Sequence, residues 1–240
     1  MGNNMTHNIS EIQKAYNVLV GGIDEKAHSG EDDGGRAYGG MVRAAKGILV
    51  EGMATNLVKV AWEELKGQEQ RLTFTKDIVK IPIRAEYIKK LKPTQVADFI
   101  RANIEKFFYG HKTDVHVCID KKFVLGIECK AYAENAMIKR ILVDFTLLQQ
   151  AFPQLKCVLL QLESQLTGDY SQLSKPITFG SASTHTLLSY FDVDLRIITL
   201  LDGERKVNEP IHKREYFKQM TIPALRKAVD ALKELLLGFV

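Results

Sequence analysis

The chain has 240 residues, 45% of them hydrophobic and 26% charged, with a net charge of +4 and a pI near 8.8. That composition excludes a disordered, fibrous or disulfide-stapled chain, and the length suits one large domain. No apolar run approaches the ~20 residues that a membrane span needs. The first thirty residues lack the basic start and apolar run of a secretory leader. Cys118, Cys129 and Cys157 all fall in apolar, strand-like runs, as reduced core thiols do, so a cytoplasmic location is expected. The mild basic excess is compatible with a polyanionic partner without establishing one.

In chain order, residues 9–20 carry apolar positions at helical spacing, with Ser10 as a cap. Residues 28–40 are glycine-rich and acidic and read as a surface loop. Residues 41–66 form the longest helical pattern of the first half, with a stripe of Ile48, Leu49, Met53, Leu57, Val60 and Ala61 expected inside. Glu51 lies near that stripe, either as a solvated edge residue or as part of a site. Residues 71–83 look like strands, with Pro82 marking an edge or an end. Pro93 opens a helix expected to run to about Phe108, with Val96, Phe99, Ile100, Ile104 and Phe107 on one face and Gly110 as its stop.

The stretch Thr113–Lys130 reads as a hairpin. Val115, Val117 and Ile119 alternate with His116 and Cys118, a turn follows at Asp120-Lys121-Lys122, and a second apolar run ends in Glu128-Cys129-Lys130. Successive side chains of a strand point to opposite faces, so Glu128 and Lys130 share a side and Cys129 faces away. Asp114 begins the first run, where the hairpin brings it toward that pair. Charges at the end of an apolar strand are unfavourable unless paired or metal-bound. Other acid-x-Lys tripeptides, such as Glu64-Leu65-Lys66 and Asp120-Lys121-Lys122, lie in helical or turn contexts where solvation explains them. His116 shares the face of Asp114 and reads as a packed core histidine. His111 and Lys112, just before the hairpin, are placed to touch a phosphate.

Beyond the hairpin, residues 133–150 form an amphipathic helix and residues 155–162 a strand buried on both faces. Residues 164–186 are a long polar loop. Residues 194–201 are a further strand, and residues 212–220 and 222–239 read as helices, with Pro223 in the first turn of the second. The order hairpin, helix, strand predicts an α/β fold with a mixed central sheet flanked by helices. No internal boundary is visible, so residues 1–240 are expected to be one catalytic domain with a core at about 47–162.

On Asp114, Glu128 and Lys130 the sequence resembles the PD-(D/E)xK nucleases, whose best-known members are type II restriction endonucleases. The order of elements from Gly47 to Leu162 matches as well. Thr113 stands where the motif name has proline. The resemblance implies a restriction-endonuclease-like core and a Mg²⁺-dependent, sequence-specific endonuclease acting on double-stranded DNA. Asp114, Glu128 and the Cys129 backbone carbonyl would hold the metal, since Mg²⁺ takes oxygen ligands and usually only one or two carboxylates. Lys130 would orient or deprotonate the attacking water and stabilise the phosphorane. The glutamate that such nucleases often carry on the first core helix would be Glu51, with Glu105 as a second candidate. DNA contacts are expected from the 164–186 loop through Lys175, Ser181, Ser183, Thr184 and His185, from Lys112, and from the basic cluster Arg36, Arg43 and Lys46. A homodimer is expected, because two copies related by a two-fold axis cut both strands of a palindrome. Its interface would come from helix 9–20 or helix 222–239. The alternatives are a structure-specific or repair nuclease of the same core, and a non-catalytic α/β module whose hairpin charges are only a surface pair.

Overall fold

The structure, a computed structural model, describes residues 2–21, 35–166, 180–209, 211 and 213–240. Its elements are α1 (Gly2–Gly21), α2 (Gly35–Glu64), β1 (Leu72–Thr75), β2 (Val79–Pro82), α3 (Ala85–Lys90), α4 (Thr94–Ala102), β3 (Phe108–His111), β4 (Val115–Ile119), β5 (Lys122–Ala133), α5 (Asn135–Ala151), β6 (Lys156–Ser164), α6 (Ala182–Ser189), β7 (Leu195–Thr199) and α7 (Ile222–Leu236). A five-stranded sheet runs in the order β1-β4-β5-β6-β7. β1, β4 and β5 are antiparallel; β5, β6 and β7 are parallel. The sheet is therefore mixed, as expected, because the β4–β5 turn is tight whereas the β5–β6 connection is the helix α5.

Helices cover both faces of this sheet. On one side, Val50, Leu57, Ala61 and Trp62 of α2 pack with Val117, Ile127, Cys129 and Leu160, joined by α1 and α7. On the other, Ile138, Leu142 and Phe145 of α5 meet Cys157, Leu159 and Ile197. β6 is buried over its whole length apart from Lys156, which is why its sequence is a near-continuous apolar run. Glu64 at the end of α2 pairs with Arg226 and Lys233, tying α2 to α7. Between β1 and β4 the chain forms a satellite, in which β2 and β3 make a separate two-stranded sheet. Its small core consists of Ile88, Ala97 and Ile100.

Several expectations are corrected. Helix α2 begins at Gly35, inside the stretch read as a loop, of which residues 28–34 lie outside the described residues. Ile48 is 73% exposed rather than part of the buried stripe. The helix opened by Pro93 ends at Ala102, and Gly110 is not its stop but a strand residue paired with Lys80. Pairing with β2 overrides the helical period there, and Val96, Phe99 and Ile104 face solvent. Where a helix is expected over 212–220, the described residues 213–220 hold only a short turn at Arg214–Tyr216. That segment is a strap: the Tyr16 hydroxyl donates to the Lys218 carbonyl and Gln13 Nε2 to the Met220 carbonyl, so these carbonyls serve α1 rather than a helix. The apolar stripes of α1 and α7, expected at a dimer interface, are consumed inside the subunit: Ile9, Ile12, Tyr16, Leu225, Val229 and Leu232 are all buried.

Candidate active site

The geometry of the site depends on one irregularity in the β4–β5 hairpin. Asp120 and Lys121 form the turn, both with positive φ (50° and 64°), as a two-residue hairpin turn of type I′ requires. Ile119 then pairs with Lys122 and Cys118 with Phe123. Carried on unchanged, that register would set Asp114 against Ile127, on the wrong face. Instead the pairing slips, so that Val117 meets Leu125 and Val115 meets Ile127. Val124 is the extra residue of a β-bulge. The next step of the shifted register sets Asp114 opposite Glu128. A one-residue slip exchanges the two faces of a strand, so the bulge puts both carboxylates on one side. It also turns Phe123 onto His116, with ring centroids 4.3 Å apart.

At this end of the sheet, Lys130 Nζ donates to Asp114 Oδ2 and to Glu128 Oε2, each at 2.8 Å. The Cys129 N–H donates to Asp114 Oδ2 at 2.7 Å. A strand residue turns its N–H and C=O to the same edge, so the Cys129 carbonyl also points toward Asp114. The Cys129 thiol is buried in the opposite core. Gly126 is needed for close approach: a Cβ there would lie 3.0 Å from the Phe145 ring and 3.3 Å from Phe123 and Thr113.

Burial pushes the Glu128 carboxyl up to about 7; the Lys130 ammonium pulls against this and the Asp114 charge adds to it. Burial also works against the Lys130 charge, but the two carboxylates outweigh it and hold the amine above its ordinary value. One ammonium thus sits between two carboxyl groups, and the buried Glu128 carboxylate is left with less compensating positive charge than its burial calls for. A divalent cation would supply that charge. Among the described residues no group of three or more His, Cys, Asp or Glu converges as a metal cluster. The groups that could hold a cation here are the Asp114 and Glu128 carboxylates and the Cys129 carbonyl, all hard oxygens, a set that would fit Mg²⁺ with its retained waters better than zinc.

Asp114 stands between two clefts. One, of ≈ 530 Å³, is lined by Asp114, Glu128, Lys130, His111, Arg140 and Asp144 among others. The second, of ≈ 380 Å³, is lined by Glu51, Gly52, Thr55, Lys76 and Asp114. Glu51 is hydrogen-bonded to Lys76. It therefore flanks Asp114 from the α2 side without joining the Lys130 cluster. Glu105 lies on the satellite, in the turn Ile104–Lys106, and lines neither cleft.

His116 is a core residue: its Nε2 accepts from the Thr113 N–H at 3.0 Å, which braces the chain just before Asp114. His111 is nearly buried, with Nδ1 3.8 Å from Asp144 Oδ1. Its Nε2 is buried without a hydrogen-bond partner among the described residues, and burial lowers its pKa. Lys112 is exposed at the rim of the same cleft. Sequence reading missed Arg140 and Asp144. The spacing of Met137, Arg140, Ile141 and Asp144 is one helical face, but only packing shows that this face of α5 looks into the cleft.

The expected DNA contacts divide. Thr184 is not available to DNA: it is fully buried, with Oγ1 2.7 Å from Asn135 Oδ1 and 3.2 Å from the Leu166 carbonyl, so it bolts α6 to α5. Ser181 is the N-cap of α6, accepting from the Thr184 N–H. Ser183 and His185 are exposed, but on α6 rather than in a loop. Lys175 lies outside the described residues, as do the side chains of Arg36, Arg43 and Lys46, whose backbone is part of α2.

A mixed five-stranded sheet carrying an acid, an acid-x-Lys strand end and a carboxylate helix beside them has the arrangement of a restriction-endonuclease-like nuclease. No family model matches the chain. It is 48% identical over 221 residues to the type II restriction enzyme DdeI of Desulfomicrobium norvegicum, covering 91% of this chain and 92% of that protein. The chain therefore belongs to the type II restriction enzymes and is a site-specific deoxyribonuclease. A solved structure of the native BbvCI A2B2 tetramer aligns over 99% of this chain and 92% of its own, at 10% identity and a TM-score of 0.36. No helix among the described residues is long and apolar enough to cross a membrane.

Proposed function

We propose that this endonuclease hydrolyses phosphodiester bonds of double-stranded DNA with Mg²⁺, through Asp114, Glu128 and Lys130. The observation that carries the reading is the Lys130 ammonium held 2.8 Å from both carboxylates, beside an open cleft. Asp114 and Glu128, with the Cys129 carbonyl, would hold the metal. When bound, Mg²⁺ offsets phosphate charge and acidifies a water. Lys130 keeps its proton in this setting. Its role would be to orient the attacking water, or help deprotonate it once a metal has taken the two carboxylates, and to neutralise charge that builds on the phosphate. Glu51, paired with Lys76, would line the path of the DNA strand on the α2 side. Residues 1–240 would act as one catalytic domain, in the cytoplasm, as a homodimer able to cut both strands of a palindrome.

Digestion of unmethylated phage DNA, with wild type beside Asp114→Ala, tests this. Discrete bands that require both Mg²⁺ and Asp114 are expected. A Mg²⁺-dependent smear would keep the nuclease and remove site specificity. Undiminished cutting by Asp114→Ala, or in excess chelator, would overturn the catalytic assignment. Sedimentation of the wild type as a monomer at micromolar concentration would remove the homodimer.

A further inference from the structure

We propose that the satellite between Val79 and Lys112 is a duplex-binding module that positions DNA over the Asp114 cleft. This rests on the endonuclease reading and assigns the part of that chemistry which the catalytic hairpin leaves open. Three observations on this one segment carry it.

The first is charge. Eight Lys and Arg stand against three Asp and Glu in these 34 residues, a net of +5, whereas the whole chain carries only +4. The basic excess of the protein is thus confined to the satellite, and the remainder is slightly acidic. Two of the three acids, Glu86 and Asp98, pair with Arg84 and Arg101 of the satellite itself. Lys89, Lys90, Lys92 and Lys112 are exposed and carry no ion pair among the described residues. A solvated surface that only kept the protein soluble would mix both signs. A field of one sign attracts a polyanion, and phosphate contacts from such lysines position a duplex.

The second is exposed apolar surface. Of fifteen large hydrophobic residues exposed among the described residues, six are in this segment: Tyr87, Val96, Phe99, Ile104, Phe108 and Tyr109. The satellite's own core is too small to bury them. Apolar side chains amid unpaired lysines suit a partner that offers phosphates beside base edges, including thymine methyl groups. An apolar face on a second protein would leave the lysines without partners.

The third is continuity with the site. Strand β3 leads out of the satellite straight into Asp114, and its residues Tyr109, Gly110 and His111, with Lys112, line the cleft that holds Glu128 and Lys130. DNA that reaches from the satellite lysines along β3 and Lys112 would therefore lie beside the carboxylates.

The test measures binding without cleavage. Full-length protein in chelator is titrated against a fluorescein-labelled random-sequence duplex by anisotropy, across a series of salt concentrations. Lys89→Ala/Lys90→Ala/Lys92→Ala is compared with Lys122→Ala/Lys156→Ala, whose exposed lysines lie at the opposite end of β5. The satellite variant is expected to bind about tenfold more weakly or worse near 0.1 M salt, with a salt slope shallower by about two to three, since each lost phosphate contact removes ~0.9. The control is expected to stay within about twofold of wild type. Wild-type affinity and slope in the satellite variant, with an unchanged melting temperature, would overturn the proposal. So would a Phe99→Ser variant that dissociates an oligomer while binding DNA normally, which would assign the face to a second copy of the chain. Both readouts are independent of cleavage, so loss of this inference and loss of the Asp114 assignment are separable.

Discussion

Replacing Glu128 by Gln should stabilise the metal-free protein while abolishing cleavage. The Glu128 side chain is a tenth exposed, and its carboxyl titrates near 7 in the fold against an ordinary 4.5. Below pH 4.5 the folded and unfolded chains both hold the proton, and the group contributes no pH dependence. Between 4.5 and 7 the unfolded chain releases it while the folded chain retains it, so stability falls as pH rises. Above 7 the full cost is present, about 3 kcal/mol at most by proton linkage. Gln does not titrate and escapes that cost, but it gives up the charge-assisted bond to Lys130, which leaves a gain of about 1–2 kcal/mol at pH 8. For a chain of this size that is a rise of about 2–8 °C in melting temperature. The assay is thermal unfolding of both proteins in chelator at pH 5 and pH 8, repeated with Mg²⁺. The gain should be large at pH 8 and small at pH 5, and Mg²⁺ should stabilise the wild type more than the variant. Equal shifts at both pH values, or a less stable variant at pH 8, would refute the reasoning and leave Glu128 as an ordinary ion-pair residue.

Removing the ammonium with Lys130→Ala leaves two carboxyl groups facing each other. Cleavage should fall by about 10²-fold or more, and the Mg²⁺ concentration that half-stabilises the fold should not rise; a rise would make Lys130 a structural brace of the metal site. Gly126→Ala drives a methyl against Phe145, Phe123 and Thr113, so urea unfolding should show a loss of about 1–3 kcal/mol. An unchanged midpoint would mean that α5 does not pack on β5 as described. Lys121→Gly relieves a positive φ of 64° at the hairpin turn. It should stabilise by about 0.5–1 kcal/mol with cleavage unchanged, because the turn is at the far end of the hairpin from Asp114. A destabilised variant would contradict the turn geometry.

Short-range features follow from local periodicity. Strand alternation put Glu128 and Lys130 on one side and Cys129 on the other, because the pleat has a strict period of two. A continuous apolar run identified β6, because a strand buried on both faces has no polar positions. Acids at strand ends stood out because a charge there needs a partner. Four features have no local signature and come from strand register and long-range packing. The bulge at Val124, invisible in a run of apolar residues, sets the register that brings Asp114 opposite Glu128. Pairing with β2 ended the helix after Pro93 and built the satellite, since long-range hydrogen bonds outweigh a local period. Packing on α2 absorbed the apolar stripes of α1 and α7 that looked free for a dimer. The fully buried Thr184, polar and loop-like in sequence, proved to be a bolt between two helices. The last three of these depend on which distant segment supplies the hydrogen bonds or the apolar cover, and no window of neighbouring residues contains that choice.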